Sequence, residues 1–216
     1  MKLTRGAFVT FEGIEGAGKS TQIGLLCDFL RLSSIEHVRT AEPGGTAIGE
    51  EVRKILLSVE HAGMTPVAEL LLYAAARAQH VGEVIAPALN RGLVVVCDRF
   101  SDSTMAYQGF GRGLNRALIE EIDRISTGGL TPDLTILLDV GVESGLARNR
   151  AANKRDRLEL EAVVFHERVR DGYHRIMREQ PGRVKMVDGA MSIEGVSEEV
   201  KKAFMGFLRS GGYVVQ

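Results

Sequence analysis

The segment Gly13-Ile14-Glu15-Gly16-Ala17-Gly18-Lys19-Ser20 is the most informative part of this sequence. It has the spacing G-x-x-x-x-G-K-[ST], in which a glycine-rich turn joins a strand to a helix and cradles phosphate groups. An apolar run at residues 7–11 precedes the stretch, and a helical pattern at residues 21–32 follows it. Successive backbone N–H groups at the positive end of that helix can therefore surround an anion.

This loop predicts a nucleotide site. Lys19 supplies a positive charge for the β- and γ-phosphates, and the hydroxyl of Ser20 is placed to hold Mg²⁺. The predicted ATP-binding residues are Gly13, Ile14, Glu15, Gly16, Ala17, Gly18, Lys19, Ser20 and Thr21. The motif alone does not say whether the nucleotide serves phosphoryl transfer, movement or a switch.

Length and composition restrict the class of protein. The 216 residues suit one α/β domain, residues 1–216, with at most a mobile insertion. A formal net charge of −1 gives no overall positive field toward nucleic acid or anionic lipid. No apolar stretch approaches the roughly 20 residues that span a bilayer. Cys27 and Cys97 have neither the number nor the spacing of a disulfide framework or zinc site. We expect a cytoplasmic protein that binds neither nucleic acid nor membranes.

Apolar runs alternate with helical patterns along the whole chain. This alternation predicts a parallel sheet with helices on both faces. After the first strand, we expect strands at residues 37–41, 93–97, 134–138 and 184–187. After the first helix, we expect helices from Thr46 to about residue 59 and at residues 66–89, 114–127, 142–151, 158–180 and 192–208.

Two of these strands end in an acid. Asp98 follows the run Leu93-Val94-Val95-Val96-Cys97, and Asp139 follows residues 134–138. An acid at the end of a central strand is where P-loop proteins hold Mg²⁺. Arg99 follows Asp98 and could reach an acceptor phosphate, whereas no basic residue follows Asp139. We therefore predict that Asp98 and Ser20 hold the metal, and that Asp139 is a capping or packing residue.

Further candidate binding elements follow the other strands. The turn 42–46 leaves the carboxyl end of a strand, where ligands bind in open α/β sheets, although a simple connection is the alternative. In the helix at residues 66–89, Tyr73 and Arg77 share a face, but the pattern alone favours a core tyrosine and a snorkelling arginine. Pro87 is expected in its last turn or at a kink. The glycine-rich segment 103–113 predicts a wall of a binding site.

Charge concentrates late in the chain. Arg148, Arg150, Lys154, Arg155 and Arg157 lie within ten residues and are opposed only by Asp156. A solvated helix end is the usual explanation. In a P-loop protein, however, mobile arginines can close over the nucleotide and neutralise the transferring phosphoryl group. We therefore predict a mobile basic lid at about residues 148–158. Asn153-Lys154-Arg155-Asp156 has the letters of the guanine motif N-K-x-D but follows no strand.

Five motifs in this order resemble those of bacterial thymidylate kinases. They are residues 11–20, Glu42-Pro43-Gly44-Gly45-Thr46, Asp98-Arg99-Phe100, Tyr107-Gln108-Gly109 and Asp156-Arg157-Leu158-Glu159. The resemblance implies the P-loop three-layer α/β fold of nucleoside-monophosphate kinases, with a five-stranded parallel sheet flanked by helices and a lid. It implies the Mg²⁺-dependent reaction of ATP with dTMP to give ADP and dTDP. It also implies a homodimer.

The resemblance further implies roles for individual residues. Tyr73 matches a phenylalanine that stacks on thymine, Arg77 an arginine at the base and phosphate side, and Arg99 the arginine that binds the acceptor phosphate. Tyr107 lies under the deoxyribose and leaves no room for a 2′-hydroxyl, and Glu15 faces the sugar. The implied dTMP site is Glu15, Glu42, Pro43, Tyr73, Arg77, Arg99, Ser103, Thr104, Tyr107 and Gln108. The implied catalytic residues are Lys19, Arg99, Arg148, Arg150 and Arg155.

The chain departs from the family at two positions. Gly16 stands where some members have an arginine, so the transition-state arginine is expected from the lid. There Arg148 and Arg150 match lid arginines, and Arg155 can compensate for Ala152. Ala41 stands where relatives often have an arginine, and Arg39 is the nearest substitute.

Two other functions remain as alternatives. A deoxynucleoside (thymidine) kinase shares a related fold, but two arginines, Arg77 and Arg99, suit an acceptor that already carries a phosphate. A nucleotide-dependent regulatory switch predicts a guanine-reading motif after a strand, which this sequence does not contain.

Overall fold

The central strand of the protein carries the apolar run that precedes the phosphate loop. The computed structural model describes residues 5–151 and 156–213, and within them five strands form one parallel sheet in the order β2-β3-β1-β4-β5. The strands are Ala7–Glu12 (β1), His37–Ala41 (β2), Val94–Asp98 (β3), Leu134–Asp139 (β4) and Val184–Asp188 (β5). The predicted five-stranded parallel sheet is confirmed.

Helices connect these strands, as the βαβ alternation requires. They are Lys19–Leu32 (α1), Ala47–Leu57 (α2), Pro66–His80 (α3), Ala86–Asn90 (α4), Ser101–Thr104 (α5), Arg116–Thr127 (α6), Val142–Ala151 (α7), Val163–Glu179 (α8) and Ile193–Ser210 (α9). Side chains of Thr46, Asn115 and Ser192 accept backbone N–H bonds at the starts of α2, α6 and α9. Within the described ranges, no helix combines the length and apolar content needed to cross a membrane.

Apolar side chains pack on both faces of the sheet because successive strand residues point to opposite sides. Ala7, Val9 and Phe11 of β1 belong to the larger core cluster. Phe8 belongs to a second cluster that contains Ile85. The sheet is therefore covered on both faces, which explains why its central strands are continuous apolar runs.

The register of the strands brings the motifs to one edge. Phe11 of β1 lies opposite Asp98 of β3, and Ala41 of β2 lies opposite the same Asp98. The phosphate loop, the Asp98-Arg99 pair and the 42–46 turn therefore leave neighbouring strands at the same carboxyl edge, where parallel sheets bind ligands.

Two predicted helices have different boundaries in the structure. The helix at residues 66–89 is interrupted by a π-helical segment, Val81–Ile85, before α4. Pro87 lies in the five-residue α4 that closes this helical stretch, directly after the π-helical segment, in agreement with the predicted last turn or kink. The helix predicted from residue 158 begins at Val163, because the carboxylate of Asp156 accepts the N–H groups of Leu158 and Glu159 and forms a turn there.

Candidate active site

A cavity of about 850 Å³ opens at the carboxyl edge of the sheet. The phosphate loop from Glu15 to Thr21 forms one side, and residues after β2, β3 and β5 form others. Every predicted dTMP residue lines this cavity: Glu15, Glu42, Pro43, Tyr73, Arg77, Arg99, Ser103, Thr104, Tyr107 and Gln108. The structure thus brings together residues that are almost 100 positions apart in the sequence.

Lys19 is a buried residue at the start of α1. Its ammonium group donates to the carbonyl oxygens of Gly13, at 3.0 Å, and Ile14, at 2.9 Å. These two loop residues lie behind the cavity rather than on its wall, and they curve the loop around the lysine. Burial and the neighbouring Arg99 charge lower the pKa of Lys19 to about 8. A bound phosphate would supply the negative charge that this lysine needs.

The loop is packed closely against helix α7 at Gly16. This glycine has φ +71°, and a Cβ atom there would overlap the carbonyl oxygen of Gly145. A Cβ on Gly145 would in turn lie 2.5 Å from the carbonyl oxygen of Glu15. An arginine at position 16 therefore cannot fit without a shift of α7. This contact agrees with the prediction that position 16 contributes no catalytic side chain.

Ser20 and Asp98 meet at the edge of the cavity. The Ser20 hydroxyl donates to the Asp98 carboxylate at 3.2 Å. A hydroxyl and a carboxylate are oxygen ligands suited to Mg²⁺, which binds to few protein groups and keeps several waters. Asp139 instead pairs with Arg170 at 2.7 Å and His174 at 2.9 Å. The residues present fit Mg²⁺ at Ser20 and Asp98, whereas Asp139 is engaged in ion pairs.

Arg99 has a strained backbone and an ordered side chain. Its φ of +71° lies in the left-handed region, which non-glycine residues adopt only rarely. Its guanidinium donates to Glu15 at 2.9 Å, to Ser103 and Tyr173 at 3.1 Å each, and to Tyr107 at 3.2 Å. With 18% of its side chain exposed, Arg99 lies at the cavity wall with its donors directed by four partners.

Glu15 is the carboxylate of the phosphate loop. Both of its oxygens accept the Tyr107 hydroxyl, at 2.6 and 2.7 Å. Burial alone would raise the pKa of Glu15, but Arg99, His166 and Lys19 outweigh it and hold this pKa well below its usual value. Glu15 is therefore ionised, and it orients both Arg99 and the ring of Tyr107.

Arg77 is buried rather than snorkelling, so the interpretation from helix pattern alone is wrong. Its side chain is 2% exposed, and it donates to Glu42 at 2.8 Å and to Asp123 at 3.2 Å. Its guanidinium also lies 5.0 Å from the ring centroid of Phe100. Arg77 can be buried because Asp123 of α6 and Glu42 of the 42–46 turn pair with its guanidinium, which would otherwise need contact with water. Tyr73 lies one turn away on the cavity wall.

The basic cluster separates into different environments. Arg148 lines the cavity and donates to the carbonyl oxygen of Gly189 at 3.1 Å. Arg150 is exposed on α7 and does not line the cavity, and Arg155 lies outside the described residues. Arg157 is buried and pairs with Glu69 at 2.5 Å. Arg157 is therefore not part of a solvated helix end, whereas the lid predicted at about residues 148–158 falls partly outside the described residues and stays a prediction.

Several residues of the cavity were not predicted from the sequence. Arg53 on α2 lines it and donates to the carbonyl oxygen of Pro43 at 2.8 Å. The remaining unpredicted lining residues include Gln22, Leu57, Asn149, Gly189, Met191, Ile193 and Val196. Ala41 is on the cavity wall, whereas its suggested substitute Arg39 is exposed and does not line the cavity. These residues belong to no sequence motif. The one indication in the sequence was that residues 189–196 follow a strand, where ligands bind in parallel sheets.

The sheet order, the loop and the acid at the end of β3 define a P-loop nucleotide-binding protein. The family model for thymidylate kinase matches residues 11–200. The chain belongs to the thymidylate kinase family. It is 47% identical over 207 residues to the thymidylate kinase of Trichlorobacter lovleyi, covering 93% of this chain and 98% of that protein.

Other relatives agree with this assignment. The thymidylate kinase of Geobacter sulfurreducens is 50% identical over 201 residues, which are 90% of this chain and 94% of that protein. The crystal structure of thymidylate kinase from Ehrlichia chaffeensis is similar with a TM-score of 0.76 and 34% identity. That match covers 93% of this chain and 99% of the crystallised chain.

Proposed function

We propose that this protein is an ATP-dependent kinase that transfers the γ-phosphoryl group of ATP to dTMP, giving ADP and dTDP. One observation carries the proposal. The phosphate loop and the acceptor arginine share one cavity and touch each other, since Glu15 of the loop accepts from Arg99 at 2.9 Å. A donor phosphate on the loop and an acceptor phosphate on Arg99 would therefore be neighbours.

The donor side is formed by the loop and the start of α1. Backbone N–H groups of residues 13–21 and the Lys19 ammonium bind the ATP phosphates, while Ser20 and Asp98 hold Mg²⁺. When bound, Mg²⁺ would neutralise charge on the phosphate oxygens. The Lys19 ammonium has three donors, two of which go to loop carbonyl oxygens, so the third can bind a phosphate oxygen whose negative charge offsets the cost of burying the lysine.

The acceptor side is formed by α3, the 42–46 turn and the segment after β3. Tyr73 stacks on the thymine ring, and Arg77, held by Glu42, presents charge beside it. Tyr107 is held by Glu15 so that its ring lies under the deoxyribose and excludes a 2′-hydroxyl. The remaining acceptor residues are Pro43, Ser103, Thr104 and Gln108.

The chemistry requires alignment rather than proton transfer. A phosphate oxygen of dTMP attacks the γ-phosphorus, and the bond from that phosphorus to the β-bridging oxygen breaks as ADP leaves. The acceptor oxygen is already anionic, so no general base is needed. Lys19 and Arg99 hold the reacting groups in line and spread the developing charge. We propose that a lid arginine completes this set, with Arg148 the first candidate, because it lines the cavity, followed by Arg150 and Arg155.

We further propose that the protein is a homodimer. Exposed apolar side chains lie on helices α2, α3 and α6, which pack side by side. They are Ile48, Ile55, Val67, Leu71, Leu118 and Ile125. Burying such a group of side chains against a second copy would remove them from water. The buried free thiols of Cys27 and Cys97 suit a reducing compartment, and we propose the cytoplasm.

The proposed activity is tested by following ADP release with ATP and Mg²⁺, with dTMP, dUMP, AMP, CMP and thymidine added in parallel. We expect dTMP to give the highest kcat/KM. Activity with thymidine but not with dTMP would indicate a nucleoside kinase. Slow hydrolysis that is independent of any acceptor would indicate a switch. Arg77→Ala and Arg99→Ala should each reduce use of dTMP without preventing ATP binding.

A further inference from the structure

A buried carboxylate, Glu12, ends β1 directly before the phosphate loop, and the proposed mechanism does not use it. Its side chain is fully buried. Oε1 accepts the backbone N–H of Phe100 at 2.7 Å. Oε2 accepts the hydroxyls of Ser103 at 2.5 Å and Tyr173 at 2.8 Å. Burying a carboxylate costs free energy unless hydrogen bonds replace its contacts with water. The burial of Glu12 therefore requires an explanation.

The two hydroxyls that donate to Glu12 also accept from Arg99. One terminal nitrogen of Arg99 lies 3.1 Å from the oxygen of Ser103 and 3.1 Å from that of Tyr173. A hydroxyl has one proton to donate and two lone pairs. Once that proton is directed to Glu12, only lone pairs face the guanidinium. The two hydroxyls also lie 2.8 Å from each other, so one can donate to the other instead, but the chain of donated protons still ends at the carboxylate and leaves lone pairs for Arg99.

We propose that Glu12 is a positioning residue for phosphoryl transfer: its ionised carboxylate holds Ser103 and Tyr173 as acceptors and so fixes Arg99. This inference rests on the proposed function, in which Arg99 binds the acceptor phosphate. If Glu12 is protonated, its own O–H needs an acceptor. One hydroxyl must then turn, and its proton competes with the N–H of Arg99.

The surroundings of Glu12 determine when it is ionised. Burial and the nearby charge of Asp102 raise the pKa of Glu12 to about 7, although Arg99, Ser103 and Tyr173 oppose this. Asp102 is itself held by Arg183 at 2.7 Å. The charged and titratable groups that act on Glu12 or respond to it are Lys19, Arg77, Cys97, Arg99, Asp102, Tyr173 and Arg183. Glu12 is thus ionised above about pH 7, and the Ser103 and Tyr173 contacts that it directs to Arg99 should weaken as pH falls, while the contacts of Arg99 with Glu15 and Tyr107 remain.

The first test compares kcat/KM for dTMP in the wild type and Glu12→Gln between pH 6 and 8.5. A glutamine side chain has one accepting oxygen and one donating NH₂ group in place of two accepting oxygens. In the variant, either the Phe100 N–H or the two hydroxyls therefore face an NH₂ group, which cannot accept from them. We expect wild type to exceed the variant about tenfold at pH 8.5, which corresponds to one charged hydrogen bond. The ratio should fall below about threefold at pH 6, where the wild-type Glu12 is itself neutral.

The pH dependence of the ratio of wild-type to variant kcat/KM distinguishes a positioning role of Glu12 from a merely structural one. The dTMP phosphate also titrates near pH 6, but it does so equally for both enzymes and cancels. Glu161→Gln is the matched control, since Glu161 pairs with Arg112 away from Arg99. Its ratio to wild type should be constant with pH. A constant ratio for Glu12→Gln would overturn the proposal.

A second variant keeps the proposal testable if Glu12→Gln folds poorly. Tyr173→Phe removes one acceptor of Arg99 and keeps the ring. We expect it to lower kcat/KM about tenfold in the wild type and much less in the Glu12→Gln background, because the two residues act through one network. Full additivity of the two losses would contradict the proposed connection.

A nucleotide-free measurement distinguishes this inference from the proposed function. The ¹⁵N resonances of the Arg99 guanidinium should show slow rotation about its C–N bonds at pH 8.5, and rotation should become faster at pH 6 and in Glu12→Gln. If this occurs in a protein that does not phosphorylate dTMP, the proposed function fails and the role of Glu12 stands. If dTMP is phosphorylated but Arg99 is unaffected, the role of Glu12 fails.

Discussion

The guanidinium of Arg99, at the end of β3, donates to the carboxylate of Glu15 in the phosphate loop at 2.9 Å. This contact joins the predicted acceptor site to the predicted donor site. Arg99 therefore lies between the residues predicted to bind the ATP phosphates and those predicted to bind the acceptor phosphate. Its remaining N–H groups donate to Ser103, Tyr107 and Tyr173. The most direct predictions concern this arginine and the groups around it.

Arg99→Lys should reduce kcat/KM for dTMP by about 10²-fold or more. Lysine keeps the charge but cannot donate to Glu15 and the hydroxyls in the fixed planar geometry of a guanidinium. Steady-state kinetics with varied dTMP measure this. Arg31→Lys is the control, because Arg31 is exposed on α1 and pairs with Asp28 on the same helix. Equal activities of the Arg99 and Arg31 variants would exclude Arg99 from the acceptor site.

Asp98→Asn should raise the Mg²⁺ concentration needed for half-maximal activity by at least about tenfold. The loss of a carboxylate next to Ser20 weakens the metal site, while the strand end remains. Asp139→Asn is the control, because Asp139 also ends a strand but pairs with Arg170 and His174. Mg²⁺ titrations of both variants decide the assignment. A larger shift for Asp139→Asn would reverse it.

The free energy of unfolding should depend on the ionisation of Lys19. Its pKa is lowered from 10.5 to about 8 in the folded protein, so between these values the unfolded chain binds more protons. Folding stability attributable to this group therefore rises with pH through that window, by at most about 3 kcal/mol. Urea unfolding of wild type and Lys19→Met at pH 7.5 and 10 should show this difference in pH slope. Identical slopes would show that Lys19 is not desolvated.

Two arginines of the basic cluster should differ in their effect on stability. Arg157→Ala removes one of the two arginines that pair with the buried Glu69, leaving Arg112, and also removes a bond to the carbonyl oxygen of Leu56, so we expect a loss of about 1–3 kcal/mol. Arg150→Ala, at an exposed position, should change stability by no more than about 0.5 kcal/mol. Chemical denaturation of both variants measures this contrast. Similar values would mean that Arg157 is not buried in solution.

Elements that depend on local spacing could be predicted from the sequence. The loop from Gly13 to Ser20 and the strand ending in Asp98 follow from backbone geometry over a few positions. Hydrophobic periodicity was sufficient for the parallel sheet, because buried central strands are apolar on both faces.

Tertiary structure alone decided which polar groups meet. Arg77 is buried because Glu42, 35 residues away, and Asp123 neutralise it. Tyr173 has the spacing of an ordinary core residue, yet its hydroxyl bonds Glu12 across 161 positions of sequence. Arg157 lies in a basic run but turns inward to Glu69. Helical periodicity reports which face of a helix is buried, whereas the partners of a buried charge depend on how distant elements pack against each other.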